Sequence, residues 1–262
     1  MSFRIPLLLQ ILLSVALIGF LQAAEKPNIV IIFTDDQGYG DLACYGNKKT
    51  KTPRLDQLAK EGTKYTSFYS QTVCGPSRSA LLTGRQPLRS KGWGMPASEI
   101  TWAELIRKAG YQTACIGKWD VSNRKAIIER MPNAQGFDYY FGALGANDNG
   151  TVRFHENNKA AGSTKDMGEL TTLYTDKSIA WLKEKRDPEK PFALYLAHTM
   201  MHTIIDASDR FRGKSEGGLY GDVVEEFDYE TGRLLDALDA LKLRENTLVI
   251  YTSDNGPWNQ DK

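Results

Sequence analysis

The sequence predicts an α/β fold, a largely parallel sheet flanked by helices, and three observations carry that reading. Continuous apolar runs rich in Ile, Val and Leu read as strands at Asn28–Thr34 (NIVIIFT), Phe192–Ala197 (FALYLA) and Thr247–Thr252 (TLVIYT), and the first carries the signature of a strand covered on both faces. Segments with helical spacing and helical punctuation alternate with them. No internal repeat and no low-complexity tract breaks the alternation, so the pattern is one of βα units rather than of a bundle or a sandwich.

In chain order, the first segment stands outside the fold. Residues 1–24 hold one basic residue, Arg4, then an apolar run broken only by Gln10 and Ser14, then small residues at Ala23 and Ala24. That is the layout of a secretory signal peptide cleaved near Ala24. The run approaches spanning length, and a retained anchor is the competing reading; the small-residue exit favours cleavage. The expectation is an exported protein, periplasmic or secreted, with one domain over residues 25–262 and no stable membrane association. The whole chain carries a formal charge of +1, and the leader removes Arg4 and no acid. The mature chain is therefore neutral, which gives nucleic acid or an anionic membrane no electrostatic hold.

The strand Asn28–Thr34 is followed by a helix over Thr52–Gly62, with Thr52 as N-cap, Pro53 at the first position, Leu55, Leu58 and Ala59 on one side, and a terminating Gly62. In TVCGPSRSALLTGR (residues 72–85) Pro76 marks a helix start and Ser77–Leu82 reads as helical. Thr101–Gly110 repeats the helix grammar and leads into a strand, Tyr111–Gly117. Residues 142–163, rich in Gly and Asn, read as a long loop or inserted lobe. Helices over about 170–185 and 222–241 precede the strands Phe192–Ala197 and Thr247–Thr252. The chain ends a few residues after that last strand, so the C-terminal part of the fold is expected to be missing. Three cysteines are too few and too scattered for a disulfide scaffold or a zinc site. Cys44 and Cys115 lie in apolar surroundings and are expected to be buried; whether they pair is left open.

Chemistry gathers where strands end, the edge at which open α/β sheets bind ligands. The first strand runs into Asp35 and Asp36, the last into Asp254 and Asn255. Asp and Asn after strands usually cap or turn. Two such clusters of hard oxygen donors in one sheet instead favour a shared divalent metal, Ca²⁺ or Mg²⁺. Lys118 and Asp120 follow a third strand. His198 and His202 follow a fourth, on the same side, which raises the odds for at least one; His155, in the polar loop, reads as incidental. Cys74 sits at a helix entrance that favours negative charge, with Arg78 one turn on; this segment alone leaves a nucleophile and a buried cysteine equally open. A cation, Arg78 and Lys118 around an anion, a nucleophile at a helix start and a histidine for the leaving oxygen suit transfer of an anionic group.

With those residues in view, CGPSRSALLTGR closely resembles the sulfatase signature, Cys-x-Pro-Ser-Arg followed by a Leu-rich stretch ending Thr-Gly-Arg. NIVIIFTDDQGYGDLACYGN, GFDYYFG, LYGDVVEEFD and ENTLVIYTSDNGPW are also similar to sulfatase segments, so the resemblance runs from about Lys26 to the C-terminus. It implies an alkaline-phosphatase-like fold and sulfuric-ester hydrolysis. It further implies that a formylglycine-generating enzyme, reading Cys-x-Pro-x-Arg, converts Cys74 to formylglycine (3-oxoalanine), whose hydrate attacks sulfur. Ca²⁺ would be held by Asp35, Asp36, Asp254 and Asn255. Arg78 would help hold the hydrate, Lys118 matches the lysine of Gly-Lys-Trp-His, and His202 matches the histidine near the leaving group. The substrate would be a sulfated carbohydrate, polysaccharide or aryl ester.

Three departures qualify the match. Gly-Lys-Trp-His is Gly117-Lys118-Trp119-Asp120 here, so an acid replaces a histidine that assists the hydrate; loss of such a group costs ~10²–10⁴-fold. Met201 stands where a proline usually precedes the His202 equivalent. The family's later lysine and smaller C-terminal domain have no counterpart before Lys262. Two alternatives follow: a degenerate relative that binds a sulfated ligand without turnover, and a related phosphoester or phosphonate hydrolase.

Overall fold

The computed structural model describes residues 26–258; the leader expected at residues 1–24 lies outside them. Seven strands form one sheet: β1 (Asn28–Thr34), β2 (Gln112–Lys118), β3 (Tyr139–Ala143), β4 (Val152–Glu156), β5 (Lys159–Thr164), β6 (Phe192–Ala197) and β7 (Thr247–Ser253), in the order β5-β4-β3-β2-β6-β1-β7. The five from β3 to β7 along this order run parallel, and β4 and β5 close the other side antiparallel. β1 lies between β6 and the edge strand β7, with Ile32 beside Leu196 on one side and Tyr251 on the other.

Five helices of seven or more residues flank the sheet: α1 (Pro53–Glu61), α2 (Cys74–Thr83), α3 (Trp102–Lys108), α4 (Leu170–Ala180) and α5 (Gly218–Ala240). The alternation of β1 sorts its side chains into two cores. Val30 and Ile32 join Leu170, Tyr174, Val223 and Phe227 of α4 and α5, whereas Ile31 and Phe33 join Leu82 of α2 and Ala103 of α3. This three-layer arrangement is why the central strands read as unbroken apolar runs. No helix among the described residues is long and apolar enough to cross a membrane.

The structure departs from the sequence reading in several places. Residues 142–163 are no loop: β3 ends there, and β4 and β5 form a hairpin whose outer strand is largely exposed. Its Gly and Asn content marks the turns of the hairpin rather than an absence of strands. α5 begins four residues before the expected start, at Gly218, and the helix after Leu170 ends in a π turn over Trp181–Lys185. Thr52 holds the N-cap position of α1 without capping it. Its hydroxyl donates to Asp56 and accepts from the Ala43 N–H, while Asp228 of α5 accepts the N–H groups of Leu55 and Arg54 at 2.8 and 3.2 Å. Cys115 is buried, Cys44 is only partly so, and all three thiols are free.

Loops leaving β1 and β6 are stitched together at the edge where the parallel strands end. The Asp35 N–H donates to the Met200 carbonyl (3.0 Å), and the Met201 N–H donates back to the Asp35 carbonyl (2.5 Å). A proline at 201 would lack that donor, so the departure at Met201 adds a contact. The Asp254 N–H donates to the Thr34 carbonyl (3.1 Å), which fixes the end of β7 against the end of β1.

Candidate active site

Cys74 is the first residue of α2, entered from an extended Val73. Gly75 after it has no room for a Cβ, because the Trp93 indole lies against it. Burial pushes the Cys74 thiol up to about 12; Lys118 and Arg78 pull it down, and the charges of Asp35 and Asp120 push it further up. At neutral pH the unmodified sulfur is therefore a protonated thiol, and the helix start does not turn it into a thiolate nucleophile.

Arg78, one turn on, is fully buried. It binds Asp254 Oδ2 through Nε (3.1 Å) and Nη2 (2.8 Å), and donates to the carbonyls of Lys118 and His198 at 3.2 Å each. Its guanidinium thus ties the ends of β2, β6 and β7 together. Burial alone would lower its pKa, but Asp254 and Asp35 raise it and keep it charged.

The acids converge on the same space. Lys118 Nζ lies 2.5 Å from Asp35 Oδ2, and burial, which would raise the Asp35 pKa, is outweighed by Lys118 and Arg78. Asp36 adopts a left-handed backbone (φ 55°), its N–H donates to Asp254 Oδ1 (3.2 Å), and its Oδ1 accepts from Asn255 Nδ2 (2.5 Å). Burial first and the charge of Asp35 second raise the Asp36 pKa. Three buried acceptors have no partner: Asp35 Oδ1, Asp36 Oδ2 and Asn255 Oδ1. Buried oxygens without donors are costly. Ligand atoms of Asp35, Cys74 and Asp254 also lie within 4.8 Å of one another. A cluster of carboxylates and an amide oxygen whose surplus acceptors face inward fits a hard divalent cation.

Asp120 is buried and saturated. Its Oδ2 accepts from the Trp93 indole (3.1 Å) and lies 3.4 Å from Lys118 Nζ; its Oδ1 accepts from Arg124 Nε (3.0 Å). His202 stands at the mouth: Nδ1 donates to the Thr203 carbonyl (2.6 Å), which leaves Nε2 3.5 Å from Asp148 and 3.8 Å from Asp36. The two histidines after β6 separate cleanly. His198 is buried between the Tyr174 and Phe227 rings, its Nδ1 accepts the Met200 N–H, and burial lowers its pKa to about 3. It is a neutral core residue. His155, on β4, lies away from this cluster.

Nine residues singled out in the sequence (Asp35, Asp36, Cys74, Arg78, Lys118, Asp120, His202, Asp254 and Asn255) therefore come to one sheet edge, while His198 is turned into the core. Sequence reasoning missed four neighbours: Trp93, Arg124, Asn147 and Asp148. Asn147 Nδ2 donates to the carbonyls of His202 (3.0 Å) and Ile204 (2.6 Å), and Asp148 accepts from Arg124 Nη1 (2.7 Å). Asn147 and Asp148 follow β3, a strand masked by Gly142 and Gly145 around its end. Recognising it would have flagged them by the same strand-end rule.

Comparison with known proteins agrees with this geometry. The sulfatase family model matches residues 27–260. N-acetylgalactosamine-6-sulfatase of Canis lupus familiaris is 35% identical over 283 residues, covering 95% of this chain and 53% of the relative. Human arylsulfatase A is 36% identical, over 94% of this chain and 55% of its own. Among solved structures, the PsFucS1 sulfatase from Pseudoalteromonas sp. superimposes with a TM-score of 0.78 at 28% identity, covering 96% of this chain and 60% of that one. The chain spans about half the length of the curated relatives it matches.

Proposed function

The chain belongs to the sulfatase family, and from that premise we propose that the cluster around Cys74 hydrolyses a sulfate ester, of a sulfated carbohydrate or of an aryl alcohol. The observation that carries this reading is the set of partnerless buried oxygens on Asp35, Asp36 and Asn255, in a cluster where Asp35 and Asp254 also approach the Cys74 sulfur. Such a site needs a cation to complete it and a modified side chain at 74 to act. Asp35, Asp36, Asp254 and Asn255 would hold Ca²⁺ in preference to Mg²⁺, because an irregular oxygen set suits the larger ion. Cys74 would reach the site as formylglycine, made by a formylglycine-generating enzyme on an exported catalytic domain over residues 25–262. When bound, the ion supplies Lewis acidity and the hydrated aldehyde an attacking hydroxyl.

The remaining work falls to the chain's own side chains. Arg78 holds Asp254 and the strand ends in place. Lys118, between Asp35 and Asp120, puts a cation beside position 74, where an anionic substrate gathers charge. His202, with Nδ1–H committed to Thr203, points Nε2 towards Asp36 and Asp148; as the imidazolium it would give its Nε2 proton to the departing alcohol and be left neutral. Asp120, with both oxygens already engaged, adds a charge that is felt at the Cys74 sulfur and that the surrounding cations have to balance.

The test pairs two measurements on the purified protein. The tryptic peptide Tyr65–Arg78 should carry the aldehyde mass at 74, and 4-nitrophenyl sulfate should be cleaved while 4-nitrophenyl phosphate is cleaved far more slowly. An unmodified cysteine from a host that converts a control sulfatase, together with no sulfate release, overturns the proposal. Asp120 favours one second reading, binding without turnover: a large gain in rate from Asp120→His would mark an impaired catalyst, and inactivity of both forms would leave a binder.

A further inference from the structure

Resting on that reading, the geometry points to Arg124 as a positioning residue that cancels the charge of Asp120 beside the anionic substrate and locks the wall of the site between β2 and β3. Asp120 is a buried carboxylate at the reacting end of the chamber, close enough to Lys118 to share its charge with Asp35. A bare carboxylate there would repel a sulfate ester. Arg124 meets it through Nε at 3.0 Å and spans onward through Nη1 to Asp148 at 2.7 Å. Asp148 in turn lies 3.5 Å from His202 Nε2. One guanidinium thus connects the carboxylate on the floor to the acid beside the histidine at the mouth.

Two further features mark the contact as built. Asp120, Asn123 and Arg124 all adopt left-handed backbone conformations, with φ of 50°, 54° and 57°; clustering of such residues in one short loop is characteristic of functional sites. The Arg124 stem also packs on Gly145, where a Cβ would come within 3.0 Å of its Cγ and Cδ. The planar fork of arginine serves two carboxylates at once, which a lysine cannot do in the same way. The exposed part of the guanidinium remains at the mouth, on the approach of an anion.

Charge compensation has a signature that a structural clamp lacks. Arg124→Ala should lower kcat/KM for 4-nitrophenyl sulfate by roughly a hundredfold, much of it in KM, as expected for an uncompensated charge a few ångströms from the bound anion. Adding Asp120→Asn to Arg124→Ala removes the uncompensated charge and should recover at least about tenfold of that loss. Arg124→Lys, which keeps the charge, should stay within about tenfold of the wild type. Inhibition by inorganic sulfate should weaken in Arg124→Ala and return in the double variant, and circular dichroism should match the wild type throughout. If the wild type turns over but the double variant is as impaired as Arg124→Ala or worse, Arg124 is a brace only and the inference fails. If Arg124→Ala equals the wild type, it also fails. If the wild type neither cleaves the ester nor binds sulfate, the sulfatase reading falls, and this inference with it.

Discussion

The two walls of the site are built on opposite electrical plans. On the β1–β7 side, Asp35, Asp36, Asp254 and Asn255 hold more acceptors than the protein has donors for, and three buried oxygens are left without partners. On the β2–β3 side, both oxygens of Asp120 are engaged, by Trp93, Lys118 and Arg124, and Asp148 is engaged by Arg124. One wall has acceptors to spare, which the proposed cation would take up; the other supplies its own counter-charge. The contrast explains how a chain can carry an extra aspartate at the reacting end without accumulating negative charge there.

The contrast breaks most completely at Asp254. That carboxylate accepts both the Nε and the Nη2 donors of Arg78 at its Oδ2, and it belongs to the cation set proposed above. Asp254→Asn leaves the fully buried guanidinium without its main counter-charge, a situation that costs about 3–5 kcal/mol. Sulfate release should fall to background, the denaturant midpoint should drop, and added Ca²⁺ should no longer raise the melting temperature. A variant that melts like the wild type and still responds to Ca²⁺ would remove Asp254 from both roles.

A cation should matter to one wall and not to the other, and pH shows how. The Asp36 pKa is raised in the folded chain by burial and by Asp35. A raised carboxylate pKa favours the folded state only while the group is protonated. Its contribution is therefore complete below the ordinary Asp pKa and is lost as pH rises through the elevated value. The chelator-treated protein should accordingly lose stability from mildly acidic pH upward. Ca²⁺ at about a hundred times its Kd should restore roughly 2.7 kcal/mol at neutral pH. Asp36→Asn should relieve the repulsion, flatten that pH dependence in the chelated protein and reduce the Ca²⁺ gain. Melting curves across pH, with and without Ca²⁺, check all three. A pH profile unchanged by Asp36→Asn would place the repulsion elsewhere.

The two walls also differed in how far the sequence announced them. Asp35, Asp36, Asp254 and Asn255 end strands whose unbroken apolar runs are unmistakable: β1 is covered on both faces, and β7 keeps the apolar pattern at the sheet edge even though Leu248 and Ile250 are exposed. Position then follows from topology: parallel neighbours end on one edge. Cys74 and Arg78 were legible through helix punctuation and spacing. The opposite wall was hidden for a physical reason. β3 is five residues long and aromatic, with glycines at its end, and its partner across the antiparallel turn is half exposed. It has neither the length nor the periodicity that marks a strand, so Asn147 and Asp148 went unseen. Arg124 was visible as a residue, but only the left-handed loop from 120 to 124 folds it back onto Asp120. His198 and His202 illustrate the same limit. They are equivalent by sequence position, yet the backbone pairing of Asp35 with Met200 and Met201 turns one into the core and leaves the other at the mouth.

The smallest expected effect probes whether the saturated wall has redundancy. Trp93 donates one hydrogen bond to Asp120 and packs its ring on Gly75 beside Cys74. Trp93→Phe keeps a ring over Gly75 and removes only the indole N–H. A hydrogen bond to a charged group is worth about 1.5–3 kcal/mol, but Asp120 retains Arg124 and Lys118, so only part of that should appear. The loss in kcat/KM should stay below about tenfold, well short of that from Arg124→Ala, and Ca²⁺ dependence should be unchanged because no cation-side group is touched. A loss as large as that of Arg124→Ala would mean that orientation by the indole, rather than compensation by the guanidinium, sets the state of Asp120. A shifted Ca²⁺ requirement would mean that the two walls are coupled through Gly75 and Cys74, and that the division between an incomplete and a self-sufficient wall is not a functional one.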